Sequence, residues 1–327
     1  MKSFFRLIRW QNLVIVILTM LLMRYAVLSS LLGKIEVLII QGNVSAAVMG
    51  LKFPLIDFIL LVAATVFIAA GGYVINDYFD IKTDVINRGE VIVGSKISQQ
   101  KAMMLHNILN LIGIALGFFI SWRSGYTLLG AMFLMVSGLL YFYSASYKRQ
   151  FLIGNIIVAF LTAMVPMLVA IYEWPAVYRF YTINAVETPD LSFIFYWIGG
   201  FAVFAFLTTL TREIIKDIED YEGDAAFGRN TVPIVLGILT SKIIVIALIV
   251  IIIALLYFVW YLFLFDKYTL IYITVFIAIP LIFVIAIMLR SINSRQFKKA
   301  SMLMKIIMLT GILYSLVVKA LINWNLV

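Results

Sequence analysis

The chain has 327 residues, 64% of them apolar and 13% charged, with a formal net charge of +9 and a mean hydropathy of +1.09. Soluble domains are about half apolar and a quarter charged, so a soluble globule of this size could not cover so much apolar surface. Zero Cys excludes disulfides, zinc-thiolate sites and a thiol nucleophile, and the single His, His106, excludes a multi-histidine metal cage, which leaves oxygen ligands for any catalytic metal.

About 20 apolar residues cross a hydrocarbon core. On that measure the sequence reads as one all-α polytopic membrane domain, 1–327, a bundle of nine transmembrane helices at approximately 11–32, 54–76, 102–121, 126–144, 151–172, 191–211, 238–260, 268–289 and 301–322. The first helix begins with Lys2, Arg6 and Arg9, but its apolar run is long and no small-x-small cleavage site follows, so it is expected to stay as a span. The second ends in an acidic run of Asp77, Asp80 and Asp84, with Glu90 behind it. The third opens beside His106, a lone imidazole expected to be dispensable for chemistry. The fourth ends in Tyr141, Tyr143, Tyr147, Lys148 and Arg149, and the sixth in Arg212, Glu213, Lys216, Asp217, Glu219, Asp220, Glu222 and Asp224, with Arg229 close after. Helices 1–4 and 5–8 form a four-helix pseudo-repeat, about 1–150 and 151–300, and the ninth is appended.

Nine spans put the termini on opposite sides. With the N-terminus inside, 18 of the 25 Lys and Arg residues fall on the cytoplasmic side, so the positive-inside rule places the N-terminus and both acidic loops in the cytoplasm of a multi-pass protein of the cell (inner) membrane. The charge of +9 then reflects this bias and attraction to anionic headgroups. It calls for no nucleic-acid partner, and no obligate protein partner is inferred.

The acidic loops share one spacing. Asp77, Asp80 and Asp84 form D-x-x-D-x-x-x-D, and so do Asp217, Asp220 and Asp224, each after the second helix of its four-helix group. Offsets of i, i+3 and i+7 would stack three carboxylates on one helical face, where they repel unless a cation joins them. Oxygen-only ligands suit Mg²⁺, which takes one or two carboxylates and fills its other positions with water and phosphate. The expectation is a diphosphate held between two opposed, metal-bearing faces, with Arg88, Lys148, Arg212, Lys216 and Arg229 as its basic partners.

These residues resemble the UbiA-type intramembrane prenyltransferases. Asn76-Asp77-Tyr78-Phe79-Asp80-Ile81-Lys82-Thr83-Asp84 is similar to that family's N-D-x-x-D-x-x-x-D motif, and Arg212 to Asp224 with Gly228-Arg229-Asn230-Thr231-Val232-Pro233 is similar to its second acidic motif. The resemblance implies a helical bundle around a lipid-open cavity and transfer of a polyprenyl group from its diphosphate to a lipid or aromatic acceptor. Catalytic roles are implied for Asn76, Asp77, Asp80, Asp217, Tyr143 and Lys148, with one metal on Asp77, Asp80 and Asp84 and another on Asp217, Asp220 and Asp224. The family's Y-x-x-x-K element is matched with one residue too many, Tyr143 to Lys148, so Tyr143 and Tyr147 compete for its role. The N-R-P-x-R-P segment retains only its first Arg, Arg88, with Lys96 a candidate substitute. The wording of the second motif points to the branch that prenylates geranylgeranylglyceryl phosphate, with a quinone precursor as the alternative acceptor. A cation-coupled transporter is the alternative from another class, disfavoured because the helix interiors read as almost free of ionisable residues.

Overall fold

The computed structural model describes residues 2–41, 43–88, 91–187 and 189–324. Among them are nine helices long and apolar enough to cross a membrane: α1 (Trp10–Leu32), α2 (Leu55–Phe79), α3 (Gln99–Arg123), α4 (Thr127–Ala145), α5 (Ile153–Asn184), α6 (Phe193–Glu219), α7 (Ile238–Leu264), α8 (Lys267–Arg290) and α9 (Ser294–Asn323). Helices satisfy every backbone group internally, which is what a lipid surround demands. Several outrun their apolar stretches. α6 continues through its charged end to Glu219, α9 starts at Ser294 on an Asn293–Gln296 capping box, and α5 runs past Pro166 and Pro175 to Asn184 rather than stopping near 172.

α2 and α3 lie along each other with α4 against both, while α5 pairs with α6, and α9 and α7 pack on α6. The α2–α3 approach is close at Gly113, where a Cβ would lie 2.6 Å from Ile68 Cγ1, and small residues of this kind let membrane helices draw together. α1 touches α2, α5, α6 and α9, closing a ring.

Two features depart from the expected pattern. The connection between α1 and α2 is an antiparallel hairpin, β1 (Glu36–Gln41) with β2 (Asn43–Val48), in which Leu38 faces Ala46 and Ile40 faces Val44. Ile39 is buried, and Val37 and Ala47 pack beside it on the bundle core. The helix interiors also hold an ion pair: Arg24 and Glu173, 3% and 1% exposed, meet at 3.4 Å. At the helix ends, Asp57 in the first turn of α2 accepts from Arg123 in the last turn of α3 at 2.7 Å. Glu173 Oε1 also accepts from the backbone N–H groups of Lys52 and Phe53. The extra length of α5 carries Glu173 into the bundle, which the shorter predicted helix did not show. Arg24 lies about 20 Å along α1 from Arg9 by helical rise, so this cluster seals the end of the bundle remote from the acidic loops.

Candidate active site

Both acidic triads break at their middle Asp, correcting the expectation of one continuous helical face. α2 ends at Phe79, Asp80 takes φ −93°, ψ 0°, and a short helix, Ile81–Arg88, follows. α6 ends at Glu219, Asp220 takes φ −92°, ψ 11°, and the short helix Tyr221–Ala226 follows. The two breaks match in backbone hydrogen bonding as well: Asp84 N–H donates to the Asp80 carbonyl at 2.8 Å and Asp224 N–H to the Asp220 carbonyl at 3.1 Å. The chain turns where it leaves the apolar run, so each triad spans a helix end and the start of the next helix.

The two short helices meet. Gly223 N–H donates to Asn87 Oδ1 at 2.9 Å, and a Cβ at Gly223 would lie 2.3 Å from that oxygen, so a larger residue would displace the Asn87 side chain from this bond. Arg229 then ties the triads together. Its Nη2 donates to Asp80 Oδ1 at 2.8 Å and to Thr83 Oγ1 at 2.9 Å, and its Nη1 donates to Asp224 Oδ1 at 3.1 Å. Lys148 Nζ lies 2.5 Å from Asp80 Oδ1 and 3.1 Å from Asn76 Oδ1. Burial opposes ionisation of Asp80, yet the charges of Lys148 and Arg229 prevail and lower its pKa to about 2. Burial lowers Lys148 to about 8 despite Asp80. Burial raises Asp224 to about 6 against the pull of Arg229.

Asp77 is held by Arg9, whose Nη2 donates to Oδ1 at 2.8 Å and whose guanidinium lies 5.1 Å from the Tyr73 ring. Arg9 sits at φ 50°, ψ 52°, a left-handed conformation that costs an L-residue about 1–2 kcal/mol. Asp217 differs from the other three. It accepts from Asn155 Nδ2 at 2.8 Å, and among the described residues no Lys or Arg lies within 4.0 Å of it.

A cavity of about 330 Å³ opens beside this cluster. Arg9, Asn12, Tyr73, Asn76, Tyr143, Arg212, Glu213, Lys216 and Lys305 line its polar end, and Met23, Ile68, Phe133, Leu168, Phe201 and Phe204 are among its apolar walls. Along α6 the wall runs from Phe201 to Lys216, a rise of about 22 Å. Such a long apolar chamber with charge at one end suits an amphiphile with an anionic head.

The structure sorts the candidate residues. Asn76, Asp80, Asp224, Lys148 and Arg229 form one connected cluster, while Asp77 is paired with Arg9 and Asp217 with Asn155. Asp84 and Asp220 are half-buried beside it. Arg212 and Lys216 are on the cavity wall, both paired with Glu213 at 2.7 and 3.2 Å, rather than on the triads. Tyr143 lines the cavity and Tyr147 does not. The side chain of Arg88, like Glu90, lies outside the described residues. Lys96 is exposed and away from the cavity wall. His106 does have partners: its Nδ1 donates to the Gly71 carbonyl at 2.9 Å, while Asn110 donates to the His106 carbonyl and accepts from Ser137. Sequence reading missed Arg9, Asn12, Asn155, Glu213 and Lys305 as site residues. A polar residue inside an otherwise apolar helix, as at Asn12, Asn155 and Lys305, was the available signal.

Among the described residues no three His, Asp or Glu side chains gather into a ready-made metal cage. The donors nonetheless fit a hard divalent cation. They are carboxylates and amides, Asp217 has no counter-charge, and Mg²⁺ needs only one or two protein ligands when phosphate and water supply the rest.

Comparison with known proteins agrees with this geometry. Residues 38–309 match the UbiA prenyltransferase family. The digeranylgeranylglyceryl phosphate synthase of Methanosphaera stadtmanae is 35% identical over 255 residues, 77% of this chain and 84% of that protein. A structure solved for insight into digeranylgeranylglyceryl phosphate synthase in membranes superposes with a TM-score of 0.62 at 24% identity, covering 96% of this chain and 98% of the other. A UbiA homologue from Archaeoglobus fulgidus, bound to DMAPP and Mg²⁺, superposes with a TM-score of 0.52 at 18% identity over 97% and 99% of the two chains. These two share the fold. With the family match spanning most of the sequence and the relative at 35% identity covering most of both chains, this chain belongs to the UbiA prenyltransferase family.

Proposed function

We propose that this membrane prenyltransferase carries out the Mg²⁺-dependent transfer of a geranylgeranyl group from its diphosphate to geranylgeranylglyceryl phosphate, at the cytoplasmic face of the cell membrane. The observation that carries the reading is Arg229, which joins Asp80 of the first triad to Asp224 of the second, next to a long apolar cavity reached through Asn76, which lines it and holds Lys148. The acceptor follows from the relative of that name and from the wording of the second motif. The basic excess of the inner loops supports the orientation.

When bound, Mg²⁺ on Asp77, Asp80 and Asp84 and on Asp217, Asp220 and Asp224 would neutralise charge gathering on the leaving diphosphate. Lys148 and Arg229 stand where they can pass from the carboxylates to the diphosphate oxygens as the allylic C–O bond breaks. Asn76 fixes Lys148, and Asn155 fixes Asp217. The apolar walls take the prenyl chain and exclude water from the allylic cation, and the ring faces of Tyr73 and Tyr143 offer it π density. The acceptor hydroxyl then attacks the prenyl C1, forming the C–O ether bond, and its proton passes to the released diphosphate.

Incubating the purified protein with geranylgeranyl diphosphate, Mg²⁺ and a panel of acceptors, with products identified by mass spectrometry, tests the reading. A digeranylgeranylglyceryl phosphate product supports it. Prenylation of an aromatic acceptor alone would move the assignment to the quinone branch. Solute flux in proteoliposomes with no prenyl transfer would remove it.

A further inference from the structure

We propose that Lys305, with Asn12 and Arg212, forms an anion subsite that binds the phosphate head of the acceptor, separate from the diphosphate site at the triads. This rests on the transferase reading above.

Lys305 lies 11 residues into α9, about 17 Å along it by helical rise. An ammonium group in a spanning helix is costly unless it faces a polar cavity or a partner. Lys305 lines the cavity, and among the described residues its Nζ has one hydrogen bond, to the neutral Asn12 Oδ1 at 2.6 Å. Among the described residues no carboxylate lies within 4.0 Å of it. Arg212 and Arg9, both of its own sign, line the same cavity. Those two have carboxylates of their own, Glu213 and Asp77.

Among the described residues this wall of the cavity therefore carries a cation with no counter-ion within 4.0 Å, with the Arg212 guanidinium lining the same cavity, and an incoming anion would meet both. The diphosphate has its own cations in Lys148 and Arg229, neither of which lines the cavity wall that Lys305 joins. A phosphate monoester takes an ammonium point charge and a guanidinium N–H together. A neutral phenol or alcohol would leave Lys305 without a counter-ion, so the subsite selects an acceptor with an anionic head.

The test separates binding from turnover. Thermal shifts of the detergent-solubilised protein are titrated in EDTA with geranylgeranylglyceryl phosphate, with geranylgeranylglycerol and with pyrophosphate, for the wild type, Lys305→Gln, Lys305→Arg and Asn12→Ala. Losing one charge-assisted contact to phosphate should weaken binding of the phosphate-bearing lipid by about 10- to 100-fold in Lys305→Gln. Lys305→Arg should restore most of it, and binding of the alcohol and of pyrophosphate should not change. In turnover, the acceptor KM should rise in Lys305→Gln while the donor KM stays constant. Asn12→Ala supplies the same readout, at smaller amplitude, if Lys305→Gln does not fold. The inference is overturned if the wild type shows no preference for the phosphate-bearing lipid, if a folded Lys305→Gln keeps that preference, or if pyrophosphate binding is what is lost. Tight, Lys305-dependent binding with no prenylated product would instead sink the transferase reading and leave the subsite standing.

Discussion

Replacing Asp80 by Asn keeps the shape of the side chain and removes its charge at the point where Lys148, Arg229 and Thr83 converge. In the folded protein this carboxyl is held at about 2, against an ordinary 3.8. At 1.36 kcal/mol per unit, that difference corresponds to about 2.5 kcal/mol of stabilisation. The folded value lies below the unfolded one, so the contribution is complete above the ordinary carboxylate range and is lost as pH falls from 3.8 towards 2. At neutral pH the variant lacks all of it, and two buried cations face a neutral amide. Lys148, already lowered to about 8 by burial, would then lose the anion that keeps it charged. The measurements are thermal unfolding in detergent with EDTA and prenyl transfer with Mg²⁺. The expected results are a lower melting temperature and transfer reduced at least ~100-fold, the scale of losing a preorganised charge partner in an active site. A monodisperse Asp80→Asn protein with unchanged melting and transfer within a few-fold of wild type would refute the reasoning.

Three further outcomes follow from the same geometry. Asp224 is raised to about 6 by burial, so divalent-cation affinity should fall as pH drops through that value and the carboxyl takes a proton, and Asp224→Asn should flatten the profile; isothermal titration across pH 5–8 checks this. Tyr143→Phe should lower transfer and Tyr147→Phe should not, because only Tyr143 lines the cavity; equal losses in both would contradict the placement. His106→Ala should lower stability by about 1–3 kcal/mol, since it removes a buried side-chain hydrogen bond to the Gly71 carbonyl and empties the space the ring fills, while the folded variant retains turnover, so loss of kcat without loss of melting temperature would overturn the structural role.

The nine spans were legible because continuous apolar runs are the strongest pattern a sequence carries. Their ends were less so. α6 and α9 continue as helix through charged residues that hydropathy assigns to loops, and α5 absorbs two prolines. The hairpin at Glu36–Val48 gave no signal on the same measure, being too short to span and following no helical period. Both triads were legible from spacing alone, but their break at Asp80 and Asp220 was not. A spacing of i, i+3 and i+7 is compatible with a continuous helix, and the turn depends on where the chain leaves the bundle. Arg9 and Lys305 show the remaining limit. Each comes from a helix far in sequence from the triads and acquires its meaning only when the ring closes. Arg24 and Glu173 likewise read as isolated charges until α5 proves long enough to pair them.

The central claim is that the two triads and a diphosphate make a single site. Mn²⁺ substituted for Mg²⁺ reports this directly by electron paramagnetic resonance. In the presence of pyrophosphate the account predicts two bound Mn²⁺ per chain, close enough for their signals to be dipolar-coupled, and loss of the coupling in Asp217→Asn. One bound ion, or two ions with no coupling, would contradict it.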